Sequence, residues 1–275
     1  MNPLTVTGLV KRFPDFELRA DFTVPRGLVT GLVGANGAGK TTLIKCALGA
    51  MVPDAGTVHL ADKQEIGVVF DSPPYFPEWR VKETGATIGR FFHGWDQGRF
   101  DELCARWNLA PKKRIKELSR GMGMRLQLAV ALSHKASFLI LDEPTAGLDP
   151  LTRDELLDDL AEFMLDEDHT ILLSSHITTD LERLADHVAV LDRGQVLLHD
   201  EMAAVKEQFR LVKGGGMPPR DTPLLGLREH SVGWDALVTE SAVPALGEVV
   251  TEEPSLEDIV IRHAKDSRGK ERQHV

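Results

Sequence analysis

The chain has 275 residues, with 42 acidic and 32 basic side chains, a net charge of −10 at pH 7 and 42% hydrophobic residues. It is long enough for one large domain, or one domain with an appendage, and its acidity excludes the basic footprint of a nucleic-acid or anionic-lipid binder. Cys46 and Cys104 show no metal-like spacing and read as reduced, packed thiols. The opening MNPLTVTGLVKRF lacks an apolar signal core, and no run approaches the ~20 apolar residues of a membrane span. A cytoplasmic protein is expected, meeting a membrane only through a partner.

Short β-rich runs alternate with helical patterns through most of the chain, which predicts an α/β sheet with a parallel core. LTVTGLVKRF opens the series. VTGLVG then leads into GLVGANGAGKTTLIK, where Gly34, Gly39, Lys40 and Thr41 fit G-x-x-x-x-G-K-[ST] between a strand and a helix. Such a loop cradles phosphate: the backbone of Gly34, Ala35, Asn36, Gly37, Ala38 and Gly39, continuing to Thr42, curls around it, and a Cβ at Gly37 or Gly39 would obstruct the approach. The following helix adds its dipole, Lys40 a cation for the β- and γ-phosphates, and the Thr41 hydroxyl a ligand for Mg²⁺.

GTVHL and EIGVVF read as further strands. The stretch from about Lys82 to His134 has helical character, and its Phe91, Phe92, Trp95, Phe100, Leu103 and Trp107 are expected to form a small helical core. FLILD and TILLSS are nearly all apolar and predict central strands flanking the phosphate-loop strand. Between them, TRDELLDDLAEFML puts Leu156, Leu157, Leu160, Phe163 and Met164 on one helical face and Asp154, Asp158, Asp159 and Glu162 on a solvated one. HVAVLDRGQVLLHDE continues the strands. After about Glu201 the character changes: residues 213–223 are rich in glycine and proline and read as a linker, ALVTESAVPALGEVV predicts one or two strands, and KDSRGKERQHV a frayed end. No internal repeat, heptad array or second phosphate loop occurs. The expected organisation is a main domain over residues 1–203, with a helical subdomain at about 82–134, and an extension over 204–275.

The second half of the chain carries the chemistry that a phosphate loop alone does not. SFLILDEP ends a buried strand on Asp142 and Glu143; an aspartate there can hold Mg²⁺ through water, and a neighbouring glutamate can take a proton from an attacking water. SSH, at the end of the next apolar strand, supplies His176, placed to touch a γ-phosphate. LSRGMGMRLQLAVALSH opens with Ser119 and Gly121 ahead of a long helix. Ser119 is either a helix N-cap or, with the free N–H groups beside it, part of an anion site. Because the first loop already cradles its own phosphates, a second anion site would serve another nucleotide, as in a head-to-tail pair of chains with two ATP molecules between them.

In combination and order, these motifs resemble those of the nucleotide-binding subunits of ABC transporters over about residues 4 to 200. GANGAGKTT stands as the Walker A loop, LSRGM as the signature, FLILDEP as Walker B, AGLDP as the D-loop and SSH as the switch histidine. The resemblance implies an α/β P-loop NTPase fold with a mixed β-sheet core, a β-subdomain and an α-helical subdomain, here with a small C-terminal extension. It implies ATP and Mg²⁺ as cofactors, Glu143 as general base, His176 as its γ-phosphate partner and Asp149 as the residue coupling two sites. Ser119, Arg120, Gly121 and Met122 would meet the ATP of the opposite subunit. Phe13 falls where members stack an aromatic on adenine, although a core role is open to it.

Two departures narrow the branch. Arg120 and Met122 stand where many members have Gly and Gln, and Asp71, in EIGVVFDSPPYFPEW, stands where glutamine is usual. Asp71 would reach Mg²⁺, or stop short of it near the γ-phosphate, where like-charge repulsion disfavours closure, or cap a turn before Pro73. The hairpin before it is short, so a reduced β-subdomain is expected. Together with the late EPSLEDIVIRHAK, these features resemble the bacterial exporter branch associated with antibiotic, lantibiotic or bacteriocin resistance. The implied partner is a separate integral-membrane permease, driven by a homodimer or heterodimer of ATPase subunits at the inner face of the cell membrane, without direct nucleic-acid contact. One alternative is a soluble ABC ATPase acting on the ribosome or on DNA, which usually carries tandem domains, a coiled coil or a basic arm. Another is a P-loop kinase, which gives no reason for LSRGM and SSH together.

Overall fold

The computed structural model of the chain describes residues 1–219 and 221–272, with side chains described as far as residue 266. β1 (Leu4–Phe13) and β2 (Phe16–Val24) pair antiparallel; Leu18, Ala20, Phe22 and Val24 are buried with the period of two, and on β1 Leu4 and Val6 follow it until a bulge between Val6 and Leu9 shifts the buried position to Leu9. β3 (Val29–Val33) is buried throughout and runs into α1 (Lys40–Ala47). β4 (Ala55–Leu60) returns to pair with β1, and β5 (Ile66–Val69) starts the opposite side of the sheet. α2 (Val81–Ile88), α3 (Gln97–Arg106) and α4 (Arg120–Ser133) form the helical part. β6 (Phe138–Asp142), α5 (Pro150–Phe163), β7 (Thr170–Ser175), α6 (Thr178–Leu184), β8 (His187–Asp192) and β9 (Gln195–Glu201) complete a nine-stranded sheet ordered β4-β1-β2-β9-β8-β3-β7-β6-β5.

The five strands from β8 to β5 in that order run parallel, and β1, β2 and β4 make an antiparallel wing. The expected neighbours of the phosphate-loop strand need correction. TILLSS (β7) flanks β3, but FLILD (β6) lies one strand further out and HVAVLD (β8) takes the other side. Strands covered on both faces carry no alternation, so their composition holds no information about their order. The expected hairpin before Asp71 is the single edge strand β4.

Phe100, Leu103 and Trp107 are buried between α3 and its neighbours, whereas Phe91 is exposed and Phe92 stacks on His134 at 3.8 Å. Full burial of each large side chain stabilises by roughly 1.5–3 kcal/mol. Cys46 on α1 and Cys104 on α3 are free and buried, and burial pushes the Cys104 thiol up to about 12, with Asp101 adding to the rise. On α5, Leu156, Leu157, Leu160 and Phe163 face the core and Met164 sits half-buried at its end. The acidic face is solvated at Asp154, Asp158 and Glu162 but not at Asp159, whose side chain is only 9% exposed and lies 3.1 Å from Arg106.

Beyond β9, α7 (Met202–Gln208), β10 (Phe209–Gly214), β11 (Leu225–His230), β12 (Gly233–Thr239) and β13 (Val250–Glu252) build a second, four-stranded antiparallel sheet ordered β11-β12-β10-β13. The glycine- and proline-rich stretch expected as a linker starts in the last residues of β10 and continues as the loop to β11, so it lies within this sheet and not ahead of it. α8 (Leu256–Arg272) packs on β11, β12 and α6. The expected frayed end is helical to Arg272, and residues 273–275 lie outside the described residues. Among the described residues, no helix is long and apolar enough to cross a membrane.

Candidate active site

The turn between β3 and α1 is a left-handed backbone path that glycine permits: φ is +81° at Gly37 and +112° at Gly39, the residue that caps α1. A Cβ on Gly34 would fall 2.2 Å from the carbonyl oxygen of Leu191. Ala38 closes a turn on Ala35 at 3.0 Å. Lys40 is almost wholly buried, and its Nζ donates to the carbonyls of Gly34 at 2.6 Å and Ala35 at 3.2 Å. Asn36, Gly37, Gly39, Lys40, Thr41 and Thr42 line a cleft of about 370 Å³, closed on its other sides by Glu143, Phe13 and Phe16. Phe13 is 39% exposed, with its ring centroid 6.0 Å from that of Phe16, so the residue expected beside the nucleotide does face the cleft. Phe16 was not expected there; its signal is the pairing Phe13↔Phe16 across the β1–β2 turn. A larger cleft, about 970 Å³ between α3 and α5, contains none of the expected site residues.

β6 and β7 deliver the acid–base groups. Asp142, at the end of β6, is buried and accepts from Ser174 Oγ at 2.7 Å; the same Oγ accepts from the Glu143 backbone N–H at 3.0 Å. Glu143 holds φ at +52°, a costly conformation for a side-chain-bearing residue, of the kind that persists where surrounding contacts enforce it. Its Oε2 lies 2.6 Å from His176 Nδ1 and its Oε1 2.9 Å from Lys40 Nζ, the latter ion pair being out of line for a hydrogen bond. Burial alone would raise the Glu143 carboxyl, but the Lys40 ammonium and then His176 outweigh it and hold the group below its ordinary value. Such an ionised carboxylate can accept a proton from water.

Just beyond, buried Asp180 on α6 accepts from Thr145 Oγ1 and from Arg153 Nε, each at 2.6 Å, tying the turn after β6 to α5 and α6. Neither Ser174 nor Asp180 was singled out in the sequence. For Ser174, the signal is a hydroxyl that follows the apolar run Ile171–Leu173 and stands two positions before the histidine.

The signature residues are elsewhere. Ser119 caps α4, accepting from the Met122 N–H at 3.3 Å, and neither it, Arg120, Gly121 nor Met122 lines the cleft. Gly121 faces α5, where a Cβ would lie 2.8 Å from Thr152 Cγ2. Asp149 caps α5, accepting from the Thr152 N–H at 3.1 Å, and Thr152, through its side chain first and its backbone N–H second, holds the carboxyl below the ordinary range. Asp71, expected at the metal, does not line the cleft, and its carboxylate accepts from Arg120. Thr41 lines the cleft, and Asp142 lies buried next to Glu143 at the end of β6; both are hard oxygen donors of the kind Mg²⁺ takes. Among the described residues, no group of three or more His, Cys, Asp or Glu is placed to hold a metal ion.

The ABC transporter family profile matches residues 18–146, which span the phosphate loop, the signature and Asp142–Glu143. The chain is 34% identical over 223 residues to Nod factor export ATP-binding protein I of Rhizobium sp. (strain N33), covering 74% of this chain and 73% of that protein. The chain belongs to the ABC transporter ATP-binding family. This ABC subunit is also 34% identical over 221 residues to the daunorubicin resistance ATP-binding protein DrrA3 of Streptomyces coeruleorubidus, covering 73% of this chain and 70% of that one. Among solved structures, an ATP-binding subunit of an ABC transporter superposes with a TM-score of 0.66 at 26% identity, covering 74% of this chain and 92% of that one. The cbiO1 subunit of Clostridium perfringens, part of the cbiONQ transporter complex, gives 0.60 at 26% identity over 74% of this chain and 90% of that one. The fold is thus that of an ABC ATPase, and the activity is ATP hydrolysis that powers transport.

Proposed function

We propose that this ABC subunit binds Mg-ATP between Phe13 and the phosphate loop, closes head to tail on a second ATPase subunit, and drives a separate permease in the export direction. The observation that carries the reading is the split site: Lys40 and Glu143 line one cleft, with His176 bonded to Glu143 from the adjoining pocket behind Gly34 and Ala35, while the signature at the start of α4 lies outside both. A second subunit presenting its α4 would complete the cleft. The adenine ring would lie against Phe13, with base–aromatic stacking of ~1–3 kcal/mol as the driving term. Glu143 is the base, His176 orients it toward the γ-phosphate, Asp149 couples the two sites, and Thr41 with Asp142 holds Mg²⁺, which neutralises phosphate charge. The second subunit is another copy of this chain or a paralogue.

The relatives named for Nod factor export and daunorubicin resistance support the export direction; the exported compound is a drug or an antimicrobial peptide. The ATPase domain covers residues 1–203 and the extension 204–275, and the subunit sits at the cytoplasmic face of the membrane through its permease. Two measurements test this. Glu143→Gln with Mg-ATP should double in mass on size exclusion, and the tagged native chain, solubilised in detergent, should co-purify with a multi-span protein. A monomer in the first, or ribosome co-sedimentation in place of a membrane partner in the second, would refute the transporter reading.

A further inference from the structure

The two departures from the family pattern, Asp71 and Arg120, are 49 residues apart in sequence and meet in space. The segment after β5 lies along one face of α4. Buried Gln127 grips the Phe70 backbone from both ends of its amide, with Phe70 N donating to Oε1 at 2.9 Å and Nε2 donating to Phe70 O at 3.0 Å. One turn toward the start of α4, Pro73 sits so close to Gly123 that a Cβ there would lie 2.9 Å from its Cγ. At the first residue of α4, Arg120 donates to Asp71. Positions 120, 123 and 127 share one helical face, so the segment is fastened along the helix and ends in an ion pair. The Arg120 guanidinium also covers the D-loop turn, with Nη1 3.5 Å from where a Gly147 Cβ would be.

Electrostatics explains why the two departures accompany each other. An arginine in the first turn of a helix adds positive charge where the helix dipole is already positive, and a nearby carboxylate relieves it. The pair is open to solvent on both sides, with side-chain exposures of 40% and 55%, so water and salt weaken it. A phosphate carries more charge than a carboxylate and offers several oxygens to the planar guanidinium fork. Resting on the head-to-tail closure proposed above, we propose that Asp71 is the counter-charge of Arg120 in the open subunit, and that the phosphate of ATP held by the second subunit displaces it. Arg120 then supplies a charged side-chain contact to that phosphate, Asp71 sets the ATP concentration needed for closure, and release of Asp71 frees the tip of the segment it anchors.

The test is a double-mutant cycle in the Glu143→Gln background, reading the ATP concentration at half-maximal dimer by light scattering, at low and high salt. Asp71→Asn should lower that midpoint, by up to roughly fivefold per site at low salt and less at high salt, the range an exposed ion pair commands. Arg120→Ala should raise it about tenfold and make Asp71→Asn silent. A midpoint raised by Asp71→Asn, or a shift that persists in Arg120→Ala, overturns the proposal while leaving head-to-tail closure standing. Absence of any ATP-dependent dimer with Asp71 and Arg120 intact overturns both.

Discussion

Lys40 is held by Glu143 and by the carbonyls of Gly34 and Ala35, so a phosphate that reaches Nζ exchanges contacts rather than entering open space. Glu143→Gln weakens one of the contacts to be exchanged. Hydrolysis should fall about 10²–10⁴-fold, the usual contribution of a general base, while ATP affinity rises, because a neutral amide competes less well for the ammonium. Phosphate release and calorimetric titration separate the two effects; turnover at the native rate would remove Glu143 from the mechanism. The same contacts set a pH dependence. The Glu143 carboxyl lies below its ordinary value of 4.5 in the fold, so its stabilising share is complete above that value and is lost as pH falls through the folded value. The melting temperature should therefore drop more steeply on acidification below about pH 4.5 in the native chain than in Glu143→Gln. Parallel acid profiles for the two would show that the Lys40 and His176 contacts contribute nothing to stability.

Between β6, α5 and α6 one buried carboxylate, Asp180, joins all three. Asp180 receives Thr145 and a guanidinium, Arg153, that is 30% exposed and also donates to Thr179, so Asp180→Ala leaves the Thr145 hydroxyl without its partner and Arg153 with only part of its own. Removing one member of a fully buried ion pair costs about 3–5 kcal/mol; with Arg153 30% exposed the loss should fall to about 2–3 kcal/mol, and the urea midpoint should drop accordingly. A loss under about 1 kcal/mol would mean that Arg153 reaches solvent or another acid without strain. The phosphate loop, Asp142, Glu143 and His176 were legible in the sequence, because backbone conformation and charge at strand ends dictate their residue types and spacing. Strand order was not: β6, β7 and β8 share the same apolar composition, and only packing through the whole sheet distinguishes them. The same holds for Asp159, polar in a polar run, which the approach of Arg106 from α3 takes partly out of solvent. Asp71 shows the limit for a site residue, since its partner depends on how the segment after β5 lies along α4.

Across the whole molecule, the extension shares a core with the ATPase sheet. Val205, Phe209, Leu237, Leu256 and Ile259 belong to the same buried cluster as Leu173 and Leu181, and Glu182 on α6 takes both the Leu256 N–H at 3.0 Å and Lys206 at 2.7 Å. α8 is pinned in turn by Arg262, 3% exposed, which donates to Asp235 and, at 2.6 Å, to the carbonyl oxygen of Gly226. Because the apolar contacts cross the junction, loss of this pin is expected to weaken the entire chain and not the extension alone. Arg262→Ala should lower stability by about 3–5 kcal/mol, a large share of the ~5–15 kcal/mol typical of a folded domain. Tryptophan placement makes the cooperativity measurable: Trp234 reports on the second sheet and Trp107 on the helical part. With each kept as the sole tryptophan, the urea transitions should coincide in the native sequence and shift together in Arg262→Ala. A Trp234 signal lost first, with Trp107 unmoved, would make the extension a separately folding unit and restrict the α8–α6 contact to local docking.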